Sequence, residues 1–411
     1  LIDFGIAALL TNETVGIVSH RDLEGSLHYI SPEQTGRMNR PIDYRSDFYS
    51  LGATFYELLT GTPPFPSGDA AVLVHAHLAL MPVSPTDVNP AVPAVLSEIV
   101  LKLLEKSPES RYQSLQGSKA DLAKCAQRWQ KSSSIEIFPL GEEDVSDRFL
   151  IPQKLYGREW ETEFLLDAFD EAAQGNAVLL TVSGFSGIGK TKLIEEIHKP
   201  VVARRGYFIH GKYDQFNRDA PYSAGIEAFS GLIRQLLSES DAAIGVWKEK
   251  LLSAMGANAA VIVEVLPELE LIIGKQPAPA VLPPSESQNR FNRAFLQFVS
   301  TLTQPEHPLV FFIDDMQWAD IPSLKLLELL MADKETAYLL FIGAYRDNEV
   351  DAAHPLVKTF ENLKSQFAPI KEITLAPLQF GHISQIIVDT LHCSPAESAE
   401  LSKLILEKTG G

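Results

Sequence analysis

Residues 184–191, which read GFSGIGKT, have the residue types and spacing of a loop that binds phosphate. Its glycines permit a tight turn in which successive backbone N–H groups point at phosphate oxygens. Lys190 offers a point charge to the β- and γ-phosphates, and Thr191 offers a hydroxyl to Mg²⁺. The loop therefore predicts a site for ATP and Mg²⁺. The predicted nucleotide contacts in it are Gly184, Ser186, Gly187, Ile188, Gly189, Lys190 and Thr191.

The segments on either side of this loop are those that the motif requires. The apolar run 178–182 predicts a strand before it, and KLIEEIHK, from Lys192 onward, predicts a helix after it. The positive end of that helix would favour an anion further. A glycine-rich turn with an incidental lysine is the competing interpretation, and this context disfavours it.

A second acidic element is expected beside the loop. LVFFIDD, residues 309–315, predicts a buried strand that ends in two carboxylates. Asp314 would hold Mg²⁺, and Asp315 would orient or deprotonate the attacking water. A solvated acidic turn would be favoured if this stretch stood alone. The phosphate loop upstream reverses that preference.

Two further positions are weaker candidates. Arg346 follows the strand-like run IGAY and could sense transition-state charge, or it could be an exposed arginine in an acidic turn, and the sequence leaves both open. Gly157 and Arg158, in LYGREWE, could pack beside the adenine or merely open a helix.

The wider pattern predicts several domains in this chain of 411 residues. We expect a mainly helical region over 1–130, a linker over 131–151, and alternating strands and helices that form a parallel sheet over 152–375. Residues 376–411 are expected to be helical. In the first region, apolar side chains at helical spacing predict a helix that stops at Gly61. These side chains are Phe48, Leu51, Phe55, Leu58 and Leu59.

Composition excludes some classes of protein. A formal net charge of −18 argues against binding to nucleic acid or to an anionic membrane surface. No stretch approaches the ~18 consecutive apolar residues of a membrane-spanning helix. The two cysteines, Cys125 and Cys393, form no disulfide framework and no zinc cluster, so we expect two buried thiols and a cytoplasmic setting.

The second half of the chain resembles a known family of ATPases. LYGREWE, GFSGIGKT, LVFFIDDMQWAD, IGAYRDNEV and APLQFGHISQII occur in this order. Together they are similar to the signal-transduction ATPases with numerous domains, a branch of the AAA-type P-loop ATPases. The resemblance implies a nucleotide-dependent switch, with Lys190 and Thr191 on phosphate and magnesium. It also implies that Asp314 and Asp315 are the Walker B pair, that Arg346 follows the sensor strand, and that the helical lid at the end is partial.

The first half resembles a serine/threonine protein kinase from its magnesium motif onward. In Asp3-Phe4-Gly5, Asp3 would be the magnesium ligand, but only in a longer parent protein that contains the rest of the kinase domain. GSLHYISPEQ is similar to the end of an activation segment, in which Ser26 supports the substrate hydroxyl. The resemblance also implies that Asp47 braces the catalytic loop and that Glu33 pairs with Arg111 in a partly buried salt bridge.

The combination resembles large bacterial hybrid sensor kinases, and we expect a fragment truncated at both ends. The resemblance implies protein substrates or downstream signalling domains as partners, with possible nucleotide-dependent self-association. A protein kinase also needs a Gly-rich loop over ATP, a strand lysine and a His-Arg-Asp catalytic loop, and none of these is in this sequence. Phosphotransfer is therefore expected only of the longer parent protein. One alternative is a scaffold with a pseudokinase half and no turnover. Another is a nucleic-acid-linked ATPase, which the charge disfavours.

Overall fold

The computed structural model describes residues 26–35, 42–68, 70–132, 134–144, 154–215, 221–237, 239, 241–366, 370–391 and 393–411. These residues fall into two compact units. The boundaries between the units lie between Tyr156 and Gly157, and again between Leu378 and Gln379. The second unit is therefore continuous in sequence, whereas the first consists of the part of the chain before residue 157 together with residues 379–411.

The first unit is helical, as the sequence predicts. Its helices up to the boundary are α1 (Arg45–Thr60), α2 (Ala70–Ala79), α3 (Pro85–Val88), α4 (Ala94–Leu103) and α5 (Leu115–Ser132). Helix α1 ends at Gly61, whose backbone N–H donates to Glu57 O. Glycine is favoured at such an end because it adopts the left-handed conformation without strain.

The buried face of α1 differs from the face that the apolar spacing suggests. Phe48 is buried, but Leu58 is 75% exposed. Tyr49, Ala53 and Tyr56 supply the rest of the buried stripe, because α1 packs against α4 along a line that passes through these smaller or aromatic side chains. Hydrophobic periodicity thus located the helix, and packing against α4 decided which of its side chains are most buried.

Part of the predicted linker is packed rather than extended. Phe138 is buried in a cluster with Phe48 and Cys125. The carboxylate of Asp144 accepts hydrogen bonds from the backbone N–H groups of Gln113 and Ser114, both at 2.8 Å. Residues 134–144 thus belong to the first unit, since one buried aromatic side chain and one partly buried acceptor outweigh their polar composition.

A buried histidine gives the first unit a pH-dependent stability. His77 is fully buried, and its Nδ1 lies 2.9 Å from the Tyr49 hydroxyl. Burial, reinforced by the nearby Lys106 ammonium, lowers the pKa of His77 from 6.5 to about 4. Between these two values the unfolded chain binds more protons than the folded chain. Stability therefore falls as the pH falls through this window, and above it His77 has no effect.

We expect acidification from pH 7 to pH 5 to cost this unit about 2 kcal/mol through His77 alone. Hydrogen exchange of amides in α1 and α4 at the two pH values, corrected for intrinsic rates, measures the change. In His77→Gln, which keeps an acceptor for Tyr49, that part of the pH dependence should disappear. An equal loss in the variant and in the wild type would contradict the assignment.

The second unit alternates strands and helices. Its strands are β1 (Ala177–Ser183), β2 (Tyr207–Lys212), β3 (Leu309–Asp314), β4 (Leu339–Tyr345) and β5 (Lys371–Thr374). Its helices are α6 (Glu159–Ala173), α7 (Lys190–Glu195), α8 (His198–Ala203), α9 (Ser223–Leu237), α10 (Asp241–Met255), α11 (Ala259–Val263), α12 (Glu270–Ile273), α13 (Pro284–Leu302), α14 (Ile321–Ala332) and α15 (Pro355–Gln366).

Within the described residues, five strands form one parallel sheet in the order β2-β3-β4-β1-β5. This confirms the predicted parallel sheet. The short edge strand β5 is not among the strands that the sequence predicts. All six residues of β3 are buried, as expected for a strand that is covered on both faces.

The register brings the carboxyl ends of the strands to one edge of the sheet. Ser183 at the end of β1 pairs with Tyr345 of β4 and Thr374 of β5, and Lys212 at the end of β2 pairs with Asp314 of β3. Ligands of open parallel sheets bind outside this edge. Every segment that follows a strand therefore starts close to the others.

An aromatic cluster holds one face of the sheet to the helices. Phe229 of α9 contacts Phe311 of β3 edge to face, with ring centroids 5.1 Å apart, and Phe311 contacts Phe341 of β4 at the same separation. Such pairs add about 0.5–1.5 kcal/mol each to the gain from burial. This packing fixes β3 and β4, and with them the residues that follow both strands.

The end of the chain is helical, as predicted. Helices α16 (Phe380–Leu391) and α17 (Pro395–Thr409) pack together. Ser394 and Glu397 form a reciprocal capping box that starts α17. Cys125 is buried, but Cys393 is only half-buried, so the expectation of two buried thiols was wrong for the second. No helix in the described part of the chain is long and apolar enough to span a bilayer.

Candidate functional site

The loop between β1 and α7 has the backbone that its glycines predict. Gly184, Gly187 and Gly189 have φ values of 147°, 78° and 102°, which L side chains rarely adopt. At Gly184 a side chain would also be crowded, because a Cβ would lie 3.1 Å from Leu375 O, just after β5. Around Gly187 and Gly189 the space beside the backbone is open, with no other atom within 4 Å of a Cβ built there.

Lys190 is the first residue of α7, and it is buried at the base of this loop. Its ammonium donates to Gly184 O at 2.6 Å and to Phe185 O at 2.9 Å. Burial lowers the pKa of Lys190, while the carboxylates of Asp314 and Asp315 raise it in part. The sequence-predicted phosphate lysine therefore lies within the field of both predicted acidic residues.

Thr191 and Asp314 are brought together at the edge of the sheet. The Thr191 hydroxyl lies 3.5 Å from Asp314 Oδ2, and Asp314 Oδ1 accepts a hydrogen bond from the backbone N–H of Asp315. A hydroxyl and a carboxylate are hard oxygen donors, and magnesium is commonly bound by one or two carboxylates together with phosphate oxygens. These residues therefore fit Mg²⁺ held together with a nucleotide.

Asp315 is the centre of a polar network. It is buried and has the left-handed backbone conformation, with φ 54°. Its Oδ1 accepts a hydrogen bond from Gln317 Nε2 at 2.9 Å and lies 3.3 Å from Arg346 Nε. Its Oδ2 lies 3.1 Å from Lys212 Nζ. Both oxygens of the predicted water-orienting residue are thus already paired.

Arg346 belongs to the site and to an acidic turn at the same time. Besides Asp315, it pairs with Glu349 at 2.7 Å and lies over the Trp318 ring, with its guanidinium carbon 4.9 Å from the centroid. Its backbone N–H donates to Gln317 Oε1. The structure shows Arg346 in an acidic turn and beside Asp315, and its role in sensing transition-state charge stays a prediction.

Gly157 and Arg158 lie at the start of α6. The guanidinium of Arg158 is buried, pairs with Glu161 at 3.1 Å and donates to Ala376 O at 2.6 Å. Ala376 follows Leu375, the residue behind Gly184. Arg158 therefore ties the segment before α6 to the chain behind the phosphate loop, and its own donors are turned toward protein groups.

Comparisons with known proteins agree with these two halves. Residues 154–342 match the family model described as an AAA ATPase domain, and residues 1–121 match that of the protein kinase domain. The chain joins a protein-kinase region to an AAA ATPase domain. The kinase region lies in the first structural unit, and the ATPase domain carries the phosphate loop.

The chain is homologous to hybrid signal-transduction histidine kinases. It is 36% identical to hybrid signal transduction histidine kinase G of Dictyostelium discoideum over 93% of this chain and 13% of that protein. It is 26% identical to histidine protein kinase 1 of Candida albicans over 73% of this chain and 14% of that protein. Serine/threonine-protein kinase PknB of Mycobacterium tuberculosis is 39% identical over 30% of this chain and 20% of that protein. The chain therefore spans a small part of each relative.

In the kinase region, Glu33 and Arg111 form a bidentate ion pair with N–O distances of 2.7 and 2.8 Å. Both side chains are almost fully buried, more completely than the sequence suggested. The remaining guanidinium N–H groups donate to backbone carbonyls of Arg45, Glu105 and Lys106. All five donors of this arginine are therefore used.

The other kinase-type residues are placed differently. Asp47 lies in the first turn of α1 with an exposed side chain. Ser26 is exposed, and its carbonyl accepts the N–H of Tyr29 in a turn. Asp3 lies outside the described residues. Among these kinase-type residues in the described part of the chain, only Glu33 and Arg111 make the contact that the resemblance implies, which is their ion pair.

Sequence reasoning missed two members of the site, Lys212 and Gln317. Lys212 ends β2, and its strand-like sequence, GYFIHGKY at residues 206–213, is a signal that could have placed it at the same edge as Asp314. Gln317 lies two residues after Asp315 in the run DDMQW, where only the tight turn at Asp315 directs its amide back to the carboxylate.

Proposed function

We propose that the ATPase domain binds ATP together with Mg²⁺ and acts as a nucleotide-dependent switch within a signalling kinase. The observation that supports this most is the convergence of Thr191 and Asp314, 3.5 Å apart, beside the buried Lys190 and an open glycine loop. No single one of these groups is specific. Together they offer a cation, hard oxygen ligands and backbone donors at the edge where parallel sheets bind ligands.

Each residue then has a defined task. The loop amides and Lys190 bind the phosphates, and Thr191 and Asp314 would hold Mg²⁺, whose charge would stabilise negative charge on the phosphate oxygens. Asp315 orients the attacking water. Gln317 and Arg346 position Asp315 through its Oδ1, and Arg346 adds a positive charge at the same edge.

One observation favours a second function, a nucleotide-stabilised scaffold without turnover. Both oxygens of Asp315 are already paired, one with Gln317 and Arg346 and the other with Lys212. A carboxylate engaged in this way has few lone pairs left to accept from an attacking water. Nucleotide binding would be kept in such a scaffold and hydrolysis would be absent.

Asp315→Asn separates the two functions. If Asp315 orients water, the rate of ATP hydrolysis should fall about 100-fold. ATP affinity should hold or rise, because a negative charge beside the phosphates is removed. Phosphate release and equilibrium binding of a fluorescent ATP analogue measure the two effects on the whole chain.

Asp170→Asn is a matched control, since Asp170 pairs with Arg204 at an exposed position on α6. It should change neither quantity. A wild-type chain that binds ATP without releasing phosphate would establish the scaffold. A chain that fails to bind ATP would refute both functions.

We further propose protein phosphorylation as the activity of the whole protein, with Asp3 as a magnesium ligand of its kinase domain. The matches to a protein kinase domain and to histidine kinases support this. Attached signalling domains and protein substrates are the expected partners. A bacterial source, a cytoplasmic location and nucleotide-dependent self-association complete the proposal.

A further inference from the structure

Lys212 lies between the two acidic residues of the site. Its ammonium is 3.1 Å from Asp315 Oδ2 and 3.9 Å from Asp314 Oδ2. Asp314 Oδ2 is also the oxygen that lies 3.5 Å from the Thr191 hydroxyl. A metal ion held by Thr191 and Asp314 would bring a second positive charge to the oxygen atom that Lys212 approaches, so we expect the ammonium to turn away when the metal is held.

The backbone of Lys212 is fixed. Its N–H donates to Glu227 Oε2 of α9 at 3.0 Å. At the preceding residue, a Cβ on Gly211 would lie only 1.8 Å from Ala224 O, so α9 packs directly on the end of β2. Any response of Lys212 to a ligand is therefore a movement of the side chain alone.

The side chain of Lys212 is free to move, unlike that of the second cation at this edge. It is 52% exposed, against 24% for Arg346. Arg346 is held by Asp315, Glu349 and the Trp318 ring. A lysine has a flexible four-carbon stem that carries a compact charge, which suits a group that changes partners.

We propose that Lys212 is the residue by which this site distinguishes ATP from ADP. Without nucleotide it pairs with Asp315 and Asp314; with ATP it transfers its ammonium to the terminal phosphate, which ADP lacks. The transfer frees Asp315 Oδ2 for water, so the same movement removes the obstacle to turnover described above. This inference rests on the proposed nucleotide site, and it adds a γ-phosphate contact on β2.

The test compares ATP and ADP affinities of Lys212→Ala, Lys212→Arg and wild type in the whole chain, by calorimetry with Mg²⁺ present. We expect Lys212→Ala to weaken ATP binding about tenfold, because one charge-assisted contact is lost, and to change ADP binding less than about twofold. Lys212→Arg should keep most of the preference for ATP. Lys325→Ala removes a similarly exposed lysine that pairs with Glu328 outside the site, and it should change neither affinity.

Two results would overturn the inference. An unchanged ratio of ATP to ADP affinity in Lys212→Ala would show that the lysine makes no γ-phosphate contact. An equal loss for both nucleotides would show that it only maintains the acidic pair. In either case the proposed function would still hold if the wild type binds ATP and Lys190→Ala does not. A wild type that binds neither ATP nor ADP would refute both the proposed function and this inference.

Discussion

Replacing Lys190 with alanine should weaken ATP binding at least 100-fold, by about 3 kcal/mol, and bring hydrolysis to background. The ammonium is buried at the base of the loop, where its interaction with phosphate is screened less by water than at the surface. Its donors are now satisfied by two loop carbonyls, and the substitution would leave those carbonyls and any bound phosphate without a cation. Equilibrium titration with ATP on the whole chain measures the loss.

Lys192→Ala is the matched control for this experiment. Lys192 lies in the same short helix, but it pairs with Glu195 at 2.8 Å rather than facing the loop. Its removal should change ATP affinity by less than about threefold, as expected for a partly exposed ion pair. Unchanged ATP affinity in Lys190→Ala, with a wild type that binds ATP, would disprove the assigned role of the loop.

Arg111→Ala should unfold much of the kinase region. Removing one partner of a buried ion pair costs about 3–5 kcal/mol, because the other charge remains buried and unpaired. Here Glu33 would be left with the Ser46 hydroxyl as a remaining donor, at 2.6 Å from its Oε1, and three backbone carbonyls would lose theirs. Loss of hydrogen-exchange protection in α1, α4 and α5, with the ATPase domain as an internal reference, measures the effect.

Two variants bracket that result. Lys124→Ala breaks an exposed pair with Glu142 in the same region and should leave protection unchanged. Glu33→Gln keeps the shape and one acceptor oxygen, which can still accept from Ser46 and from one N–H of Arg111, so it should cost less than Arg111→Ala. Full protection in Arg111→Ala would mean that the pair contributes little and that the packing of Tyr49 holds the region.

The sequence predicts an element correctly where the residues of that element alone form a recognisable pattern. The phosphate loop and strands β1 to β4 have long apolar runs or a fixed spacing, so their positions could be predicted. Strand β5 has only four residues, Lys371–Thr374, of which only one is fully buried, and such a pattern is not distinguishable from a loop. Its identity as a strand depends on pairing with β1, which is a long-range contact.

The polar network around Asp315 could not be predicted for a similar reason. Its partners Lys212 and Arg346 are separated from it by about 100 and 30 residues of sequence, and only the strand order brings β2 and β4 to either side of β3. Tight packing likewise decided which side of α1 is buried. Apolar spacing gives the helix, but shape complementarity with α4 selects Tyr49 and Ala53.

The edge strand β5 also bears on how copies of the chain can associate. A long, flat, apolar edge would invite a strand from a second copy, and proteins prevent this with short edges and charged side chains. Here Lys371 pairs with Glu171 at 2.9 Å, and Glu372 pairs with Lys364. The short, charged β5 edge is thus a poor template for a further strand. Self-association of the ATPase domain, if ATP induces it, should therefore not proceed by extension of the sheet at β5, which leaves β2 at the opposite edge and the side-chain surfaces.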